Sequence, residues 1–184
     1  MGINRLNRST TGLIVVDMQD KFLPFLDRTK EVLKAQTMAV KGFSLLNIPI
    51  VVSEQYPKGL GHTAKEIASC LPQSQDYITK ASFSCCGERK LYDYFLQSSV
   101  TQWVVIGIEA HVCVLQTVRD LLNQNKEVTI LADAVTSRYP INWQSAINEM
   151  RVWGARISTV ETVLFELLES SEAPEFRQIS ELVK

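Results

Sequence analysis

The chain has 184 residues, 46% of them hydrophobic and 21% charged, with a formal net charge of −1, a balance that suits one globular domain over residues 1–184 with a sizeable core. It carries no basic stripe or Lys/Arg run, which argues against nucleic acid as a partner, and no apolar run nears the roughly 20 residues that a membrane span needs. The opening MGINRLNRST lacks the apolar core of a secretion signal and Cys70, Cys85, Cys86 and Cys113 show no CxxC spacing, so the expectation is a cytoplasmic protein with reduced thiols.

Short β-branched runs alternate with helical patterns along the chain. LIVVD (13–17) reads as a buried strand ended by an aspartate. Val32, Ala35, Ala39, Phe43 and Leu46 then recur at helical spacing. PIVVS (49–53) is a second strand, with Pro49 acceptable at its start. YITK (77–80) is a weaker third, followed by a helix over 88–97. WVVIG (103–107) is a fourth strand, and Val112, Leu115, Val118, Leu121 and Leu122 mark one face of the helix after it. VTILA (128–132) and ISTV (157–160) are strands five and six, with a helix over 142–153 between them. ETVLFELLES closes the core, and PEFRQISELVK is a short capping helix with Pro174 near its start. This alternation predicts a three-layer α/β/α, Rossmann-like fold with a parallel sheet covered on both faces. Ligands of such sheets bind beyond the carboxyl ends of the strands.

Three reactive side chains fall at that edge. Asp17 closes the first strand, Lys80 the third, and Cys113 follows the fourth. Each has a plain alternative: a turn-capping aspartate, a solvated rim lysine, a small core cysteine. Together they would supply a base, a cation and a nucleophile. A cysteine in the first turn of a helix meets the positive end of the helix dipole, which favours its thiolate.

The stretches VVDMQDKF, TKASFS, GIEAHVCVLQT and ADAVTSR, with EQYPKGLG and SEAPEFRQISELVK, resemble the isochorismatase-like cysteine hydrolases over nearly the whole chain. The resemblance is nearest to the branch called isochorismatase domain-containing proteins. It implies six parallel strands in the order 3-2-1-4-5-6, an Asp17–Lys80–Cys113 triad, and a cis peptide at Ile108–Glu109. That turn and the Cys113 N–H would form an oxyanion hole. Gln19, Phe22, Tyr56 and Phe83 lie in motifs beside the triad and are candidate pocket walls, with ordinary packing as the alternative. Relatives commonly assemble, so a homo-oligomer is expected.

The sequence departs from the zinc-dependent relatives, which hold a metal with Asp-x-His after strand two and a later His. Glu54 and Tyr56 stand in that pair's place, and His62 with one glutamate makes a poor site. We therefore expect no metal and no cofactor, and no nicotinamidase activity. No GxGxxG follows LIVVD, which argues against a dinucleotide-dependent oxidoreductase. His111 stands two residues before Cys113, about 200° round a helix, so the two side chains diverge and no Cys–His dyad is expected. Cys85 and Cys86 read as a reduced pair in a tight loop, and Asp133 and Arg138, after strand five, as turn and cap residues. The expected activity is hydrolysis of a C–N bond in a small amide or carbamoyl compound through a thioester on Cys113. A binding or scaffolding protein that kept the fold without turnover is the alternative.

Overall fold

Parallel strands order themselves β3-β2-β1-β4-β5-β6 in one six-stranded sheet: β1 (Thr11–Val16), β2 (Ile50–Gln55), β3 (Tyr77–Lys80), β4 (Gln102–Gly107), β5 (Glu127–Val135) and β6 (Arg156–Ser158). The computed structural model describes residues 5–184; residues 1–4 of the opening stretch read above for a signal lie outside it. Among the described residues the α-helices are α1 (Thr29–Leu45), α2 (Pro57–Leu60), α3 (Lys65–Ala68), α4 (Arg89–Gln97), α5 (Leu115–Asn123), α6 (Pro140–Val152), α7 (Val160–Leu168) and α8 (Phe176–Leu182). The expected fold class and strand order are those observed.

The period-2 alternation of the strands divides the core in two. Leu13, Val15, Val104 and Ile106 face a cluster built with α1, α7 and α8. Ile14, Val16, Trp103 and Val105 face the opposite cluster, with α4, α5 and α6. All six residues of β1 and of β4 are buried, as strands covered on both faces must be. Several boundaries differ from the sequence reading. β2 runs two residues past Ser53, so Glu54 and Gln55 are paired with Thr79 and Lys80 of β3. β5 extends to Val135 and takes Asp133 into the strand. Residues Ala110–Val114 form a π-helical turn that runs on into α5.

The carboxyl ends of the central strands are brought unusually close at one position. Val16 pairs with Gly107 across β1 and β4. Gly107 has φ +125°, and a Cβ there would sit 2.1 Å from the Val16 carbonyl oxygen, so only glycine permits the approach. Directly after it, Ile108 N–H donates to that same Val16 oxygen at 2.9 Å. The peptide Ile108–Glu109 is cis, as the resemblance implied.

Candidate active site

Asp17 ends β1 with φ +49°, a left-handed turn that Asp tolerates better than most residues. Its N–H donates to the Ser53 carbonyl at 3.2 Å, and Ser53 Oγ donates to Asp17 Oδ1 at 2.7 Å. Lys80 Nζ lies 2.6 Å from Asp17 Oδ2, with both side chains withdrawn from solvent (0% and 5% exposed). The same ammonium donates to Gln55 Oε1 at 2.7 Å, Phe83 O at 2.8 Å and Ser82 O at 3.1 Å. Burial pulls the Lys80 pKa down, but the Asp17 carboxylate beside it outweighs this and holds the ammonium above its ordinary range. Lys80 is therefore a fully charged, desolvated cation at neutral pH.

Cys113 is buried in the π-helical turn. Its carbonyl accepts from Thr117 Oγ1 at 2.7 Å, and that hydroxyl in turn accepts the Cys85 N–H at 2.9 Å. Burial pushes the Cys113 thiol up, the negative charge of Asp17 adds to this, and Lys80 opposes it; Asp17 also favours the thiol by holding its proton. The helix-start position leads one to expect a thiolate, but here desolvation and the adjacent carboxylate win over the dipole. The resting group is a thiol beside a carboxylate.

Asp17 and Cys113 open on one cavity of about 320 Å³, within the range of small-molecule pockets. Phe22, Leu60, Phe83, Ile108 and Val112 give it apolar walls, and Gln19, Gln55, Glu109 and Arg138 supply the polar ones. Lys80 stands behind Asp17 rather than on the wall. Gln19 is fully buried and its amide is spent on backbone: Oε1 accepts the Gln55 N–H at 2.7 Å, and Nε2 donates to the Gly61 carbonyl at 2.6 Å. Tyr56, expected on the wall, lies outside it; it sits at the start of α2 and is 60% exposed. The Glu109 N–H makes no hydrogen bond among the described residues.

Several participants escaped the sequence reading. Arg138 lines the cavity and is half exposed, with its N–H and its Nε each donating to Glu109 Oε1 at 3.1 Å. Its sequence context suggests a turn or cap role, but its place just past the end of β5 is the signal that points to the cavity. Ser53 stands at the last position of the expected second strand, where a serine looks like a terminator, and Gln55 lies beyond that end although β2 continues to it. Asp133 does cap a helix: its carboxylate accepts the Val160 N–H that begins α7.

His111 turns from Cys113 toward α6, with Nδ1 at 3.0 Å from Ser137 Oγ and Nε2 accepting from Asn142 Nδ2 at 3.3 Å. The His62 ring is 82% exposed, with Nδ1 3.1 Å from Glu54 Oε2. The other Glu54 oxygen accepts the Thr63 N–H at 2.7 Å and hydroxyl at 2.9 Å, so this carboxylate is already satisfied by protein groups. Among the described residues, no three His, Cys, Asp or Glu side chains cluster as metal ligands do. No helix among them is long and apolar enough to cross a membrane. All four cysteines are free.

Residues 11–162 match the isochorismatase domain. Isochorismatase domain-containing protein 2 of Danio rerio is 35% identical over 182 residues, covering 99% of this chain and 91% of that protein. The solved structure described as MAR1 ribonuclease from Caenorhabditis elegans superposes with a TM-score of 0.93 at 34% identity, covering 98% of this chain and 92% of that one. The YcaC gene product of Escherichia coli, described as an octameric hydrolase of unknown specificity, shares the fold with a TM-score of 0.88 at 17% identity, over 98% and 97% of the two chains.

Proposed function

The chain belongs to the isochorismatase domain family, and from that premise we propose that it is a cysteine hydrolase cleaving the C–N bond of a small amide or carbamoyl compound. The observation that carries this reading is the thiol of Cys113 opening on the same cavity as Asp17, with Lys80 buried against that carboxylate. Asp17 takes the Cys113 proton as sulfur attacks the carbonyl carbon. The developing oxyanion is held by the N–H groups of Glu109 and Cys113. The C–N bond breaks as Asp17 passes that proton to the departing amine, leaving an acyl thioester on Cys113. Asp17 then takes a proton from water, the hydroxide adds to the thioester, and acid leaves as the thiol is restored. Lys80 keeps its charge throughout and offsets the anion. The apolar walls formed by Phe22, Phe83 and Val112 suit a compact, mostly apolar acyl portion, and no cofactor enters the scheme.

The test is an ammonia-release screen over small amides, ureides and carbamoyl compounds, with intact-mass detection of the acyl adduct. Turnover by the wild type that Cys113→Ala abolishes supports the reading; wild-type turnover by Cys113→Ala sinks it. Absence of turnover together with an inert Cys113 thiol would favour the binding or scaffolding alternative. A second reading, RNA cleavage, is favoured by the description of the Caenorhabditis elegans relative. Against it stand the formal net charge of −1 and the small apolar cavity, and a labelled RNA in the same screen separates the two.

We further take the protein to be cytoplasmic, where four free thiols persist, and to assemble with copies of itself. Exposed Ile141 and Val152 on α6 suit an interface, and the octameric YcaC product is a precedent for the fold. Sedimentation of the purified chain decides the last point.

A further inference from the structure

We infer that Ser53 is a positioning residue of this site, holding one oxygen of the Asp17 carboxylate so that the other alone receives the Cys113 proton. This rests on the reading of Cys113 as nucleophile and Asp17 as its base.

The two carboxylate oxygens have different surroundings. Oδ1 accepts from Ser53 Oγ at 2.7 Å, the length of a charge-assisted hydroxyl bond. Ser53 is fully buried on β2, opposite Val16 in the register, and its carbonyl also receives the Asp17 N–H. Its hydroxyl has one proton, and that proton is directed to Asp17. The Ser53 oxygen is backed in turn by the Cys85 thiol, whose Sγ lies 3.5 Å away as donor. Cys85 is fully buried, and burial followed by the charge of Asp17 holds its thiol well above the ordinary range, so its proton stays on sulfur. The direction of donation is thereby fixed from Cys85 to Ser53 to Asp17.

Oδ2 is buried and has the Lys80 ammonium 2.6 Å away. The same ammonium also reaches Gln55 Oε1, Ser82 O and Phe83 O, so no neutral hydroxyl is spent on this oxygen. Oδ2 thus faces a positive charge on one side while its second lone pair is left for the Cys113 proton. Deleting the Ser53 hydroxyl would leave Oδ1 without its donor and free the carboxylate to rotate away from the thiol.

The experiment is the rate of Cys113 alkylation by iodoacetamide at one fixed pH, followed by intact mass on the full chain. Proton removal by Asp17 needs the carboxylate held toward the thiol, so the rate reports its orientation. Ser53→Ala is expected to slow alkylation several-fold, and Ser53→Thr, which restores a hydroxyl, to return the rate. Ser53→Cys keeps the volume with a weaker donor and should slow it part of the way, which covers the case of an unfolded alanine variant. A wild-type rate in folded Ser53→Ala, or in Ser53→Cys if alanine is not tolerated, overturns the proposal while leaving the nucleophile assignment intact. If Cys113 of the wild type is inert, the nucleophile reading falls instead. Ser53 is then judged from crystal structures of wild type and Ser53→Ala: a turned carboxylate supports the positioning role, and an unmoved Oδ1 overturns it.

Discussion

Lys80 Nζ reaches within 2.6 Å of Asp17 Oδ2 although their strands are not neighbours, since β2 lies between β1 and β3. The lysine stem crosses the carboxyl end of β2, and that strand supplies the support on both sides of the pair. Gln55, paired with Lys80 in the register, accepts from the ammonium, and Ser53 donates to the carboxylate. A buried ion pair is costly to desolvate, and its partners must be satisfied by further hydrogen bonds; here β2 provides them.

Removing one partner should therefore hurt more than removing both. Lys80→Met strands a buried carboxylate, and we expect a loss of about 3–5 kcal/mol in urea denaturation. Asp17→Asn combined with Lys80→Met should recover a large part of that loss. A double variant as unstable as the sum of the two single variants would show the pair to be uncoupled.

The parallel sheet was legible because β1 and β4 are continuous apolar runs ended by Asp17 and Gly107, whereas its strand order came from the family resemblance alone. The position of Asp17, Lys80 and Cys113 at one sheet edge was legible for the same reason: each sits at or just beyond the end of a strand that periodicity locates. That Lys80 reaches Asp17 was implied by the resemblance alone, because reaching across a strand leaves no periodic trace. Ser53 was hidden because a serine at a strand end looks like a terminator, whereas here β2 continues to Gln55. Tyr56 lies off the wall because membership of a motif beside the triad says nothing of side-chain direction, and its left-handed backbone (φ +38°) starts α2.

The approach of β1 to β4 gives a sharp glycine test. At Gly107 an added Cβ meets the Val16 carbonyl oxygen at 2.1 Å with φ at +125°, whereas at Gly154 (φ +101°) it meets nothing within 4 Å. Gly154→Ala should cost about 1–2 kcal/mol from backbone strain alone. Gly107→Ala should cost on the order of 4 kcal/mol or abolish folding. Similar melting temperatures for the two would show that β1 and β4 separate freely at the site.

Arg138 brings positive charge to the cavity wall, and its exposed portion should favour anionic reagents. We expect Cys113 in Arg138→Ala to lose several-fold in its rate with iodoacetate and far less with neutral iodoacetamide, consistent with a partly exposed charge worth about 1 kcal/mol. Equal losses with both reagents would mean that Arg138 acts through the fold, by way of its bonds to Glu109.

The thiols set the alkaline limit of stability. Burial, followed by the neighbouring Cys85 and Asp120 side chains, pushes the Cys86 thiol up to about 12 from an ordinary 9.0. Between those values the unfolded chain has lost this proton while the folded chain keeps it. The unfolded state then binds fewer protons, and stability falls as pH rises. Cys85, Cys113 and Lys80 are all held above their ordinary values as well and act with the same sign. Below about pH 8 almost all of them are protonated in both states and contribute little slope. Urea denaturation of the wild type should thus give a flat profile from neutral pH to about 8 and a decline that steepens through about 9 and above. Cys86→Ala should decline less steeply over the alkaline range, whatever its offset at pH 7. Parallel alkaline slopes in the two proteins would show that Cys86 ionises as readily folded as unfolded, and that its place behind α5 is open to water.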